Sequence, residues 1–187
     1  PRVGLALGGG FARGVAHIGV LKALRDAKIP IDCIAGTSVG ALIAAAYATG
    51  VPLEKMQRRA VATRFADFGK WRLSRMGFAS NERLERYLYQ ISLFTLFEQT
   101  KIPLAIAATD LGSGEAVYFT EGEIGPALRA SCAYPGLFLP VEHQGRILVD
   151  GFLAAPVPVD AVKRMGAEFV IAVWLESAGK GEQPDNM

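Results

Sequence analysis

Histidine is nearly missing from this sequence: His17 and His143 are the only two among 187 residues. Most histidine-based metal sites are thereby excluded, and a catalytic relay that needs a histidine has few candidates. Cysteine is equally scarce. Cys33 and Cys132 lie far apart, with no CxxC pair and no Cys/His cluster, which argues against a structural zinc site and against a disulfide scaffold. Both read as structural, buried free thiols. An excess of one charge is lacking as well, since 20 Lys and Arg face 18 Asp and Glu, for a formal net charge of +2. No basic stripe carries interleaved aromatics, so nucleic acid is not an expected partner.

No secretory leader is visible ahead of the first strand-like segment, so the expected location is cytoplasmic, with peripheral contact at a membrane left open. Residues 34–51 have the length and low charge of a membrane span. Their hydrophobicity comes largely from alanine, however, and Gly36, Thr37, Ser38, Gly40 and Gly50 interrupt them. A buried strand, turn and helix fits that composition better. What the chain does have is apolar side chains, 51% against 20% charged, and 21 glycines. This is an ordinary globular composition, and the length suits one domain, expected over 1–176 with a frayed polar tail at 177–187.

Val3 to Leu7 reads as a short buried strand that runs into Gly8-Gly9-Gly10. Val15, Ile18, Val20, Leu21 and Leu24 then recur at three- and four-residue spacings, a helix that Lys28-Ile29-Pro30 ends. Asp32 to Ala35 is a second strand, Gly36 to Gly40 a sharp turn, and Val39 to Ala48 a small-residue helix closed by Gly50. Further on, Leu53 to Ala62 reads as helix, and Ser80-Asn81 as the cap of a helix through Ser92. Pro103 to Ala108, Glu115 to Thr120, Arg146 to Val149 and a last buried run, Glu168 to Leu175, read as strands. Glu123 to Arg129 and Val157 to Met165 read as helices. The aromatic stretch from Phe65 to Phe78 fits neither period. The alternation predicts an α/β fold of three layers, α/β/α, around a mainly parallel central sheet.

Gly36-Thr37-Ser38-Val39-Gly40 is a G-x-S-x-G set between a strand and a helix. Such a turn lifts the serine hydroxyl to the sheet edge, its flanking glycines admit close neighbours, and the helix N-terminus favours a developing oxyanion. The plain alternative is a glycine-rich turn with an N-capping serine. A nucleophilic Ser38 needs a base. His17 sits in the first turns of an amphipathic helix, where packing or capping is its expected role, and His143 sits in what looks like an exposed hairpin turn. The carboxylate Asp150, at the C-terminal end of a strand and ahead of Gly151, stands where open α/β sheets place their ligands, unless it merely caps a turn. Gly8 to Gly14 offers successive backbone N–H groups to an anion. A dinucleotide fingerprint would put Arg13 where the third glycine belongs, and no lysine is followed by Ser or Thr, so an oxyanion hole fits better than a nucleotide site. Arg13 is placed either to hold this loop or to meet a substrate phosphate.

Strand, Gly-Gly-Gly-x-x-Arg-Gly, G-x-S-x-G and a late Asp-Gly form a combination far rarer than any one of them. It resembles the patatin-like phospholipases, in particular their small bacterial branch. The likeness extends through Ala16 to Leu21, through Ala107 to Leu111, and from Arg129-Ala130-Ser131 to Tyr134-Pro135-Gly136. The resemblance implies a three-layer fold and a Ser–Asp dyad working without histidine, metal or cofactor. Ser38 would form an acyl-enzyme, Asp150 would activate first the serine and then water, and the N–H groups of Gly9, Gly10 and Phe11 would hold the oxyanion. Arg13 and Gly14 would support the loop, and Gly36, Gly40 and Gly151 would complete the motifs. Lipid or another acyl ester is the implied substrate. Two positions depart from the family: Phe11 stands where glycine is usual, and Phe152 follows Asp150-Gly151 in place of a small residue. Because both add an aromatic near the site, the alternative is a catalytically weak or inactive module that binds lipid or a partner.

Overall fold

The computed structural model describes residues 1–62, 81–92 and 94–175. Two short apolar runs form β1 (Val3–Leu7) and β2 (Cys33–Thr37), buried along their whole length, as strands covered on both faces must be. Alternation sends their side chains two ways. Leu5, Leu7 and Ile34, with Leu104 and Ile106 of β3 (Leu104–Asp110), face a layer that holds α1 (Ala16–Asp26), α2 (Val39–Ala48), α3 (Leu53–Ala62), α4 (Glu82–Ile91) and α5 (Ile124–Ser131). Ala6, Cys33, Ala35 and Ala105 face the other way, against Ala161 and Val162 of α6 (Val159–Arg164). The result is the three-layer α/β/α sandwich expected from the sequence.

Hydrogen-bonded neighbours run β5 (Val141–His143), β6 (Arg146–Asp150), β3, β2, β1 and β7 (Phe169–Val173), with β4 (Ala116–Phe119) also on β3. The strands β7, β1, β2 and β3 are parallel, and β4, β5 and β6 add three antiparallel pairings, so the sheet is mixed. Two expectations change here. The last strand is not buried: β7 pairs only with β1 among the described residues, and Phe169 is 58% exposed. Asn81 stands at the N-terminus of α4 but makes no cap there: its Oδ1, the atom a cap would use, accepts from Arg129 Nε at 3.4 Å, while its side-chain N–H donates to the Arg129 carbonyl at 2.6 Å and ties α4 to α5. Ser80, the aromatic stretch from Phe65 to Phe78, and residues 177–187 lie outside the described residues. Among the described residues, no helix is long and apolar enough to cross a membrane.

The strand register explains how distant residues come together. Parallel pairing of β2 with β3 ends at Thr37 opposite Ala107, and antiparallel β6 takes the next position, Asp150 opposite Ala108. Strand β4 pairs with β3 across Ile106 to Thr109, overlapping both, so β2 and β6 lie end to end on the edge away from β4. Their tips meet. The residue after Thr37 and the last residue of β6 are therefore forced together, although 112 positions separate them in the chain.

Candidate active site

Ser38 occupies that junction. Its φ of 56° and ψ of −124° belong to a tight turn from strand to helix, a conformation that costs a side-chain-bearing residue about 1–3 kcal/mol. Surrounding contacts hold it there. The Ser38 N–H donates to Oγ of Ser131 at 2.8 Å, and Thr37 Oγ1 donates to the carbonyl of Ala155 at 2.7 Å. The two motif glycines permit the turn because their neighbours are backbone. A Cβ on Gly36 would strike the Gly40 carbonyl and the start of α2, and one on Gly40 would strike the carbonyls of Leu7 and Gly8.

Asp150 faces the serine. Ser38 Oγ donates to Asp150 Oδ2 at 2.7 Å, and the Phe152 N–H donates to Oδ1 at 2.8 Å. The carboxyl is only 1% exposed. Burial pushes its pKa from 3.8 up to about 6, although the Phe152 N–H and the Ser38 hydroxyl both pull it down. An aspartate in that range is a far better base than one in water, and an ionised one is still available at neutral pH. Behind it, Thr109 Oγ1 donates to the Asp150 carbonyl at 2.8 Å, and Gly151 has no room for a Cβ because the Ala107 carbonyl fills the space.

Neither histidine enters this pair. His17 is fully buried, with Nε2 2.7 Å from the Gly8 carbonyl. His143 closes β5 rather than lying in the turn, which is made by Gln144 and Gly145, and its ring stands edge-on to Phe119 with centroids 5.0 Å apart.

The glycine loop lies beside the hydroxyl: a Cβ on Gly9 would come within 3.5 Å of the Ser38 Cβ. The Gly8 N–H donates to the Val173 carbonyl and the Gly9 N–H to the Pro156 carbonyl, at 3.0 and 3.1 Å. The Gly9 N–H is thus turned toward Pro156 in this structure. Beyond it, Gly10 leads into a short 3-10 helix, Phe11–Val15, ahead of α1. Phe11 has a φ of 50°, the left-handed region that favours glycine, and its ring packs edge-on against Tyr134. Arg13 is exposed, and both its backbone N–H and its Nε donate to the Gly10 carbonyl, so it braces the loop. Gly14 packs directly on Val39, the residue after the serine.

From this junction a cavity of about 180 Å³ runs among the helices, with Ser38 and Asp150 in its wall and Leu42, Ala46, Met56 and Ile91 farther along. Cys132 also lines it. Burial and the nearby Asp150 carboxylate push that thiol well above the usual range, so it stays protonated at neutral pH. Phe152, whose ring would contact any Cβ placed on Gly9, stacks on Trp174 with centroids 6.1 Å apart. Ser131, Thr109 and the packing of Cys132 were not assigned to the site from sequence. Their only signals were the runs from Ala107 to Leu111 and Arg129-Ala130-Ser131, which carry no chemistry until the fold places them.

The sequence model of the patatin-like phospholipase family matches residues 5–163. An uncharacterized NTE family protein of Mycobacterium tuberculosis is 37% identical over 190 residues, covering 99% of this chain and 52% of the relative. A lysophospholipase (nte1) of Aspergillus fumigatus is 32% identical over 181 residues, covering 94% of this chain and 12% of that protein. The chain therefore spans about half the length of the mycobacterial relative and far less of the fungal one. Among solved structures, VipD from Legionella pneumophila matches with a TM-score of 0.62 at 17% identity, over 80% of this chain and 46% of VipD. ExoU of Pseudomonas aeruginosa, in complex with SpcU, matches with a TM-score of 0.55 at 18% identity, over 72% and 39%. These two likenesses concern the fold. The chain belongs to the patatin-like phospholipase family.

Proposed function

We propose that this chain is the hydrolytic unit of a serine lipid acyl hydrolase, with Ser38 as nucleophile and Asp150 as the base. One observation carries the reading: the 2.7 Å hydrogen bond from Ser38 Oγ to a buried carboxylate, at an apolar cavity and with no histidine in contact. Ser38 Oγ attacks the ester carbonyl carbon while its proton passes to Asp150 Oδ2. The carbonyl oxygen becomes an oxyanion beside the backbone N–H groups of Gly10 and Phe11, near the N-terminus of α2. Collapse breaks the bond to the leaving alcohol, which takes the proton from Asp150 and leaves the acyl group on Ser38. Water then attacks that ester, gives its proton to Asp150, and the acid departs as the proton returns to Ser38. The cavity between α2, α3 and α4 would take one acyl chain, which favours lysophospholipids and simple esters as substrates.

Turnover of a lysophospholipid and a short-chain p-nitrophenyl ester by purified wild type, Ser38→Ala and Asp150→Asn tests the reading. Hydrolysis by wild type and its near-complete loss in both variants supports the dyad. Loss in Ser38→Ala alone removes Asp150 from the base role. A folded wild type inert on both substrates would point to a lipid- or partner-binding module, with Phe11 and Phe152 filling the site.

A further inference from the structure

His17 is at once the most buried titratable ring near the site and the one the dyad chemistry leaves unused. Its Nε2 lies 2.7 Å from the Gly8 carbonyl, an atom that only accepts, so the proton must sit on Nε2. Nδ1 is buried without a hydrogen-bond partner among the described residues. A second proton there would be a buried charge with nothing to receive its N–H, and burial accordingly lowers the pKa of the ring, against the hydrogen bond to Gly8. The ring is a neutral, one-way donor.

The carbonyl it holds belongs to a particular peptide unit. The same planar unit that ends in the Gly8 oxygen carries the Gly9 N–H, and that N–H donates to Pro156 at 3.1 Å. Both ends of the Gly8–Gly9 peptide are therefore tied, one to α1 and the other to the segment ahead of α6. Three consecutive glycines have no side chains to stop a peptide from turning over. A turned Gly8–Gly9 unit would point its oxygen toward where its N–H now lies and change the direction from which Gly10 and Phe11 leave. The Gly8 oxygen also lies 2.6 Å from where a Cβ on Gly40 would be, so the clamp and the serine turn meet there.

We infer that His17 is a positioning residue that locks the Gly8–Gly9 peptide and so aims the following N–H groups at the oxyanion. This rests on the oxyanion role proposed above for the glycine loop. His17 does not touch substrate and takes no part in proton transfer. It should act on the transition state and leave ground-state binding alone.

Three measurements test this on purified protein. His17→Phe keeps a ring and removes the donor, and kcat for a p-nitrophenyl ester should fall about tenfold to a hundredfold, less than outright loss of an oxyanion donor. Affinity for a trifluoromethyl ketone, which forms a tetrahedral oxyanion on Ser38, should fall by a similar factor. Affinity for a non-hydrolysable ether lysolipid should stay within about twofold. His17→Gln, which returns an N–H at the Nε2 position, should recover most of the loss. Equal weakening of ketone and ether lipid, or no change in kcat in a folded variant, would overturn the clamp. If His17→Phe does not fold, nitrogen NMR of the wild-type ring decides: the inference requires the Nε2-protonated form with no titration from about pH 5 to 9. A protonated Nδ1 or a titrating ring would refute it. A wild type that hydrolyses nothing and forms no ketone adduct defeats the hydrolase reading instead, and leaves the ring's tautomer as a separate result.

Discussion

Replacing Asp150 by asparagine should destroy activity and stabilise the protein, and the size of the gain should depend on pH in a calculable way. Folding moves the Asp150 carboxyl from a pKa of 3.8 to about 6, which corresponds to about 3 kcal/mol. The sign follows from the folded state holding the proton more tightly. Its contribution is complete below about pH 3.8, declines as pH rises, and is gone above about pH 6. Wild type at neutral pH thus bears the full penalty of an ionised, buried carboxylate. An asparagine bears none and keeps both contacts, since its oxygen accepts from the Phe152 N–H and its amide donates to Ser38 Oγ. The stability advantage of Asp150→Asn should therefore grow by about 3 kcal/mol between pH 3 and pH 7. For a domain of this size that is roughly 6–12 °C in Tm. Thermal melts of both proteins at matched ionic strength across that range measure it. An advantage that does not change with pH, or a variant less stable than wild type at pH 7, would refute the assignment of a raised pKa to Asp150.

The same ionisation governs catalysis: kcat/KM should climb with pH and level off above about pH 6, because the base works only once ionised, and a flat profile from pH 5 to 8 would contradict this. Ser131→Ala removes the acceptor of the Ser38 N–H and should lower stability by about 1–3 kcal/mol, read from denaturant melts, with a drop in kcat as the serine turn relaxes. Ala46→Phe fills the cavity beyond the serine at a cost of about 1–3 kcal/mol, and turnover of long-chain esters should fall far more than that of an acetate or butyrate ester in parallel assays.

The parts of the site that could be read from sequence are those whose chemistry sits in consecutive residues. Glycines around Ser38, the run before Phe11, and a carboxylate at a strand end each announce a backbone shape or a charge. What escaped was set by pairing across the sheet. Nothing local indicates that β6 continues the edge that β2 leaves, yet that register alone brings Asp150 to Ser38. For the same reason Ser131, at the end of α5, carries no local sign that its Oγ meets the Ser38 N–H. Nor does the glycine run show that the Gly9 N–H meets the Pro156 carbonyl, because that partner comes from a distant segment. The last strand was taken as buried from its apolar run, although burial depends on having neighbours, and β7 has one strand neighbour among the described residues. Asn81 shows that a good capping residue gives way when a distant residue engages both ends of its amide, as the Nε and carbonyl of Arg129 do.

Covalent labelling tests the central claim most directly, because it needs no knowledge of the natural substrate. A fluorophosphonate incubated with wild type, Ser38→Ala and Asp150→Asn, followed by peptide mass mapping, should place one adduct on Ser38 in wild type. Ser38→Ala should carry none, and Asp150→Asn should label far more slowly. A folded wild type left unlabelled, or labelled at another residue, would contradict the account.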